Sequence, residues 1–164
     1  MASTCRVTLL RPLVRDRSYD GEMATIEADL RDGFVVDITN GTHNWHADEP
    51  VDVGGTDIGP NPYELLLGAL AACTCITLSM FARRKEMALD SVSVRLHFEK
   101  IHADDCEHCD DDATGWLEQV RTEIFIEGDF DDAQRQRLAE VARRCPVHRT
   151  LEKGIVFDEQ ITVG

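Results

Sequence analysis

The sequence predicts an α+β domain of antiparallel strands around one long buried central helix, and three observations carry that expectation. Leu65 to Ala82 contains no charged side chain, so a helix there is apolar on every side. Val92, Val94, Leu96 and Phe98 alternate with polar residues, as do Val120, Thr122, Ile124 and Ile126, which is the period of half-buried strands. Strand hairpins, the long helix, two more strands, a second helix and a final strand complete the order.

Taken along the chain, residues 1–21 are mixed and charged and read as an N-terminal arm with one short strand at Arg6–Leu10. Glu22–Leu30 and Phe34–Thr39 read as strands joined at the turn signal Arg31-Asp32-Gly33. Asn40-Gly41 marks the next turn and leads into a short strand, Thr42 to His46. Asp48 to Gly59, with Pro50 and the Gly54-Gly55 pair, is a loop feeding the helix. Asn61 caps that helix, Pro62 suits its first position, and Glu64 sits where a capping box needs it. Between the two alternating strands lies an acidic excursion, Ala103 to Gly115, too polar to pack. A second helix runs from the capping residue Asp131 toward Arg144. It carries Leu138, Val141, Ala142 and Cys145 on one face. Pro146 ends or redirects it, and Ile155–Val163 supplies a last strand. No repeat and no linker divides the chain, so residues 1–164 form one domain.

With 164 residues and 43% hydrophobic content, the chain can build a real core. An 18-residue helix apolar all round needs more cover than one such chain easily supplies, and a homodimer sharing it is expected. That length sits near the lower limit for spanning a bilayer, roughly 18 residues. Gly68, Thr74, Thr77 and Ser79 dilute it, however, and no second such run occurs, so the expectation is a core helix and no membrane partner. The formal charge of -14 argues against nucleic acid or anionic membrane, because phosphate binding needs a positive footprint. The N-terminus has no apolar signal region, which points to the cytoplasm, and there six cysteines read as reduced, metal-binding or redox-active thiols.

Two groups of residues offer chemistry. Cys73 lies inside the long helix, where a free cysteine is usually a small inert hydrophobe unless something stabilises its thiolate. Its own helix terminus is about 18 Å away at 1.5 Å per residue, so activation must come from elsewhere in the fold or from a partner chain. Cys75 points to the opposite face, roughly 200° around. The second group is His102, Cys106, His108 and Cys109 in the acidic excursion. Two thiolates and two imidazoles are an acceptable zinc set, but their crowding favours a solvated hairpin tip, with a metal site and a local Cys106–Cys109 redox disulfide standing equally behind it. No metal or organic cofactor is therefore assigned. His148, close behind Cys145, and His43 and His46, which flank Trp45, read as surface or strand-edge residues, and Cys5 receives no role.

Gly-Pro-Asn-Pro-Tyr-Glu-Leu-Leu-Leu-Gly-Ala-Leu-Ala-Ala-Cys-Thr (59–74), together with Cys-Pro-Val-His-Arg-Thr-Leu (145–151), resembles the OsmC/Ohr family. Trp45 to Gly55, with Ala-Asp-Glu-Pro at 47–50, resembles the approach segment of an OsmC-like subgroup. The resemblance implies an intertwined α+β homodimer with long central helices. It also implies a thiol peroxidase acting on small-molecule organic hydroperoxides, with Cys73 as the peroxidatic thiol and Cys145 resolving it as a disulfide. A dithiol reductant, lipoyl-type as in the family or thioredoxin-like, would restore both thiols. The family's activating arginine is matched best by Arg31. Its catalytic glutamate falls where this chain has Tyr63, and Glu64, one position on, is either its substitute or a plain capping residue. Two other readings stand beside the peroxidase: a metal-binding or redox-sensing module using the 102–109 cluster, and a stress-associated dimer whose thiols never turn over.

Overall fold

The computed structural model describes residues 24–103 and 114–163. The expected strand at Arg6–Leu10, the N-terminal arm, Cys5 and most of the acidic excursion lie outside the described residues. Strands β1 (Glu27–Asp32), β2 (Val35–Thr39) and β3 (Asn44–Ala47) form an antiparallel sheet in that order. Ala28 faces Ile38 and Val36 faces Ala47 across the ladders. The first hairpin turns at Gly33-Phe34, later than the turn signal suggested, with Gly33 at φ +56°. Its register slips between Leu30 and Asp32, so Arg31 occupies a bulge in a strand instead of a turn. The second turn is an Asx turn in which Asn40 Oδ1 accepts the backbone N–H groups of Thr42 and His43 at 3.0 and 2.7 Å.

A loop with one 3₁₀ turn (Val51–Val53) then leads into α1 (Pro62–Arg84). The loop closes around Asp48, which is only 2% exposed. Its carboxylate accepts the Thr56 hydroxyl at 2.6 Å and the backbone N–H groups of Glu49, Thr56 and Ile58. Gly55 is forced here, because a Cβ would sit 1.8 Å from the Glu49 carbonyl oxygen. Asp48 N–H also donates to the Pro60 carbonyl, tying the loop to the residue before the helix cap.

The Thr56 hydroxyl, helped by the three backbone N–H groups, holds the Asp48 carboxyl down from 3.8 to about 2 against the opposing effect of burial. A depressed folded-state value means that Asp48 stabilises the fold fully above pH 3.8 and loses that contribution as pH falls through about 2. Asp48→Asn is expected to lower the melting temperature most at neutral pH. In melting curves collected at stepped pH, the gap from the parent protein should close between pH 3.8 and about pH 2. A gap independent of pH would show that the loop is held by something other than this charge.

Two long antiparallel strands follow, β4 (Ala88–His102) and β5 (Trp116–Asp129), longer at both ends than the alternation alone indicated. Helix α2 (Asp132–Ala142) starts on an Asp131/Gln134 capping box, and α3 (Pro146–Lys153) starts directly at Pro146. The core is the junction of these elements. Leu78 and Phe81 of α1, Phe130, and Leu138, Val141 and Ala142 of α2 are buried together, with Val92, Ile124 and Ile126 of the ribbon against them. Leu138, Val141 and Ala142 are buried on one face of α2, as expected, whereas Cys145, also buried, lies beyond the end of α2 in an extended conformation and not on that helical face.

Two expectations are corrected. No strand forms over 155–163; the segment is unpaired, with Val156 96% exposed. Alternating apolar residues make a strand only against a free sheet edge, and among the described residues no sheet edge pairs with that segment. Within one chain α1 is also not covered all round. Leu70, Thr74, Leu78, Phe81 and Ala82 make a single buried stripe, while Leu66, Ile76 and Met80 are 40, 57 and 66% exposed. Leu66, Ala69, Cys73, Ile76 and Met80 recur at alternating steps of three and four, which lays them along one further face of the helix. By length and composition the helix could also cross a membrane, and only 28% of its most apolar window is buried inside the chain.

Candidate active site

Helix α1 positions Cys73 about three turns before its end at Arg84, on the side of the exposed apolar stripe, where the thiol is half-buried. Cys75 points elsewhere, as 200° of separation demands. Its Sγ lies 3.9 Å from the Val92 carbonyl oxygen of β4, beside an open cavity of about 410 Å³ bounded by Ser79, Arg83, Asp90 and Ser91. Both cysteines, and Cys145, are free thiols.

Cys145 is fully buried at the corner between α2 and α3. Pro146 forbids continuation of α2, and Cys145 takes an extended conformation and becomes the N-cap of α3. Its Sγ accepts the His148 backbone N–H at 3.3 Å. The same sulfur lies 3.4 Å from Thr74 Oγ1, which in turn lies 3.0 Å from the Leu70 carbonyl oxygen one turn back in α1. The fold thus brings the Cys-Pro motif against the residue that follows Cys73, although 71 positions separate Thr74 from Cys145. A cavity of about 150 Å³ adjoins this corner, lined by Leu70, Thr74, Ile124 and His148 among others. The His148 Nδ1 is buried there without a hydrogen-bond partner. In the sequence Thr74 stands out only as one of several hydroxyl residues in the uncharged run from Leu65 to Ala82.

The other two expected site residues are engaged locally. Glu64 completes the capping box: its Oε2 accepts the Asn61 N–H at 2.8 Å, and its own N–H donates to Asn61 Oδ1 at 3.0 Å. Arg31 is ion-paired with Asp37 on the neighbouring strand, and His46 Nδ1 lies 2.7 Å from the other oxygen of the same carboxylate. The structure brings neither of them to Cys73 within one chain. Tyr63, in the first turn of α1, stacks on Phe98 of β4 with ring centroids 4.7 Å apart. Of the 102–109 cluster only His102 is described, edge-on to Trp116 at 5.7 Å. Among the described residues no group of three or more His, Cys, Asp or Glu side chains could hold a metal ion.

Comparison with known proteins bears on this arrangement. An OsmC-like protein of Mycoplasma pneumoniae shares 19% identity and a TM-score of 0.61 over 81% of this chain and 89% of that one. An organic hydroperoxide resistance protein OsmC of Legionella pneumophila is 19% identical, with a TM-score of 0.56 over 80% and 90%. An organic hydroperoxide resistance protein of Elizabethkingia anophelis is likewise 19% identical, at 0.56 over 81% and 91%. At those identities the likeness is one of fold. Among curated proteins no significant match is found. The family model described as OsmC-like protein matches residues 54–160, which include α1, both long strands and the Cys145 corner, and the chain belongs to the OsmC family.

Proposed function

We infer that this chain is a homodimeric thiol peroxidase that reduces organic hydroperoxides, with Cys73 attacking and Cys145 resolving. The observation that carries the reading is the contact of the Cys145 sulfur with Thr74, one residue along the helix from Cys73. The Cys73 thiolate attacks the terminal peroxide oxygen; an S–O bond forms, the O–O bond breaks, and the alkoxide leaves as the alcohol after taking a proton. The sulfur of Cys145 then attacks Cys73 Sγ, the S–O bond breaks, and water leaves behind a disulfide. A lipoyl-type or thioredoxin-like dithiol reduces that disulfide by exchange and is itself oxidised. A cytoplasmic setting keeps both thiols reduced between turnovers.

The partner copy supplies cover for the exposed stripe of α1, and Cys73 lies on that stripe, so the second helix walls the thiol with apolar surface. Such walls favour alkyl hydroperoxides over hydrogen peroxide. In this reading Arg31 activates Cys73 by exchanging its Asp37 partner for the thiolate, and Glu64 assists from the helix start.

One equivalent of an organic hydroperoxide added to reduced protein, followed by non-reducing peptide mass spectrometry, tests the assignment. A Cys73–Cys145 crosslink is expected. A Cys106–Cys109 crosslink with Cys73 still reduced would move the chemistry to the acidic excursion and end the peroxidase reading.

A further inference from the structure

We propose that Thr74 is the positioning residue that sets when Cys145 becomes a nucleophile, by turning one hydroxyl proton between the Leu70 carbonyl and the Cys145 sulfur. The inference rests on the resolving role of Cys145 proposed above. A threonine hydroxyl has one proton to give and two acceptor positions. Here Oγ1 stands 3.0 Å from Leu70 O and 3.4 Å from Cys145 Sγ at the same time, so both partners are reached from one rotamer.

The two protonation states of Cys145 use those partners differently. As a thiol, Cys145 gives its S–H to Thr74 Oγ1, and Thr74 gives its O–H to Leu70 O; every proton is placed. As a thiolate, the sulfur has only acceptor capacity, and it keeps the His148 backbone N–H at 3.3 Å. The Thr74 proton must then swing from Leu70 O to Sγ to give the buried charge a second donor. No heavy atom needs to move. Leu70 O keeps its helical backbone partner, because a carbonyl oxygen has two lone pairs and the hydroxyl occupied only the second. A fully buried sulfur has no water to replace that donor, so the hydroxyl matters more than it would on a surface.

The consequence for the resolving step can be written with its balance. Cys145 loses its proton, its sulfur attacks Cys73 Sγ of the sulfenic acid, and the S–O bond breaks. The departing hydroxide collects a proton and leaves as water. Thr74 transfers no proton in this step; its hydrogen bond stabilises the thiolate that makes the new S–S bond. Until the hydroxyl turns, the Cys145 sulfur lacks that second donor, and Cys73 meets the hydroperoxide first.

The test compares the parent protein with Thr74→Val, which keeps the shape and removes the hydroxyl, and with Thr74→Ser, which restores it. Reduced full-length protein is taken through stepped pH, and the Cys145 thiolate is read as the ultraviolet thiolate absorbance that Cys145→Ser in the same background removes, so no reagent has to reach the buried sulfur. Thr74→Val is expected to move the Cys145 absorbance profile to higher pH and to lower the thiolate-to-thiol ratio at a given pH roughly tenfold or more, the loss of one hydrogen bond to a charged group. Thr74→Ser should return the profile. The Cys75 thiolate, on another face of the same helix and read in the same way through Cys75→Ser, serves as the internal reference for general loosening. Identical Cys145 profiles in parent and Thr74→Val would overturn the proposal, as would equal changes at Cys75 and Cys145. If Thr74→Val does not fold, Thr74→Ser against Thr74→Ala gives the same comparison. Because the titration needs no hydroperoxide, it separates failure of this inference from failure of the peroxidase reading, which the disulfide map decides.

Discussion

Cys73→Ser is expected to reduce organic hydroperoxide consumption at least about a thousandfold, to the rate that the reductant achieves alone. The serine hydroxyl has nearly the shape of the thiol but is not appreciably ionised at neutral pH, so the half-buried position stays filled and only the nucleophile is lost. Cys145→Ser should behave differently. It retains the first chemical step, releases one equivalent of alcohol, and then stalls with a sulfenic acid at Cys73 that a dimedone-type probe captures. Steady-state assays with an alkyl hydroperoxide and a dithiol, alongside mass spectrometry of the probe adduct, distinguish the two. Full activity in Cys73→Ser would remove the peroxidase assignment. Full steady-state activity in Cys145→Ser would remove the resolving role and leave Cys73 reduced directly by the external dithiol.

The second large effect concerns assembly. The parent protein should sediment as a particle of twice 18.4 kDa, and Ile76→Arg or Met80→Arg should shift it toward the monomer. Both side chains lie on the exposed apolar stripe of α1, at 57 and 66% exposure. Two helices packed along that stripe would bring the new guanidinium groups into a desolvated seam, weakening association roughly thirtyfold or more. Analytical ultracentrifugation over a dilution series reads the change directly. A parent protein that is monomeric at every concentration, or arginine variants that dimerise unchanged, would rule out this seam. Co-sedimentation of the parent protein with phospholipid vesicles, abolished by the same substitutions, would instead identify the stripe as a membrane-facing surface.

How much was legible beforehand depended on whether the controlling interaction was local. The start of α1 was readable to the residue, because the Asn61/Glu64 box and Pro62 act within one turn of chain. The α2–α3 corner was readable only in part: Pro146 marked the break, but the helix it opens, Pro146–Lys153, was not expected. The strands alternated visibly at their centres but not at their ends, where Ala88 and Trp116 extend the ribbon through pairing alone. Arg31 was misplaced because a bulge adds one residue to a strand without a composition signal. Its pairing with Asp37 follows from register, which cannot be set before the turn is known. The 155–163 segment has a strand's composition and no strand's partner. Thr74 and Asp48 escaped notice as single polar residues whose partners are folded onto them. For Asp48 a trace existed, since an aspartate shortly before a proline and a glycine pair commonly organises a loop.

The bonds around Asp48 also have a mechanical meaning. Asp48 N–H is tied to the Pro60 carbonyl, and Asn61 starts the helix in the next residue. From that fixed point to Cys73 runs a stiff rod of about 18 Å. A rod of that length turns a tilt of 5° at its base into a displacement of about 1.5 Å at the sulfur, comparable with the misplacement that costs an enzyme much of its rate. The loop therefore acts as the fulcrum of a lever whose tip is the Cys73 thiol, and the few hydrogen bonds around Asp48 set how closely that sulfur is held in place.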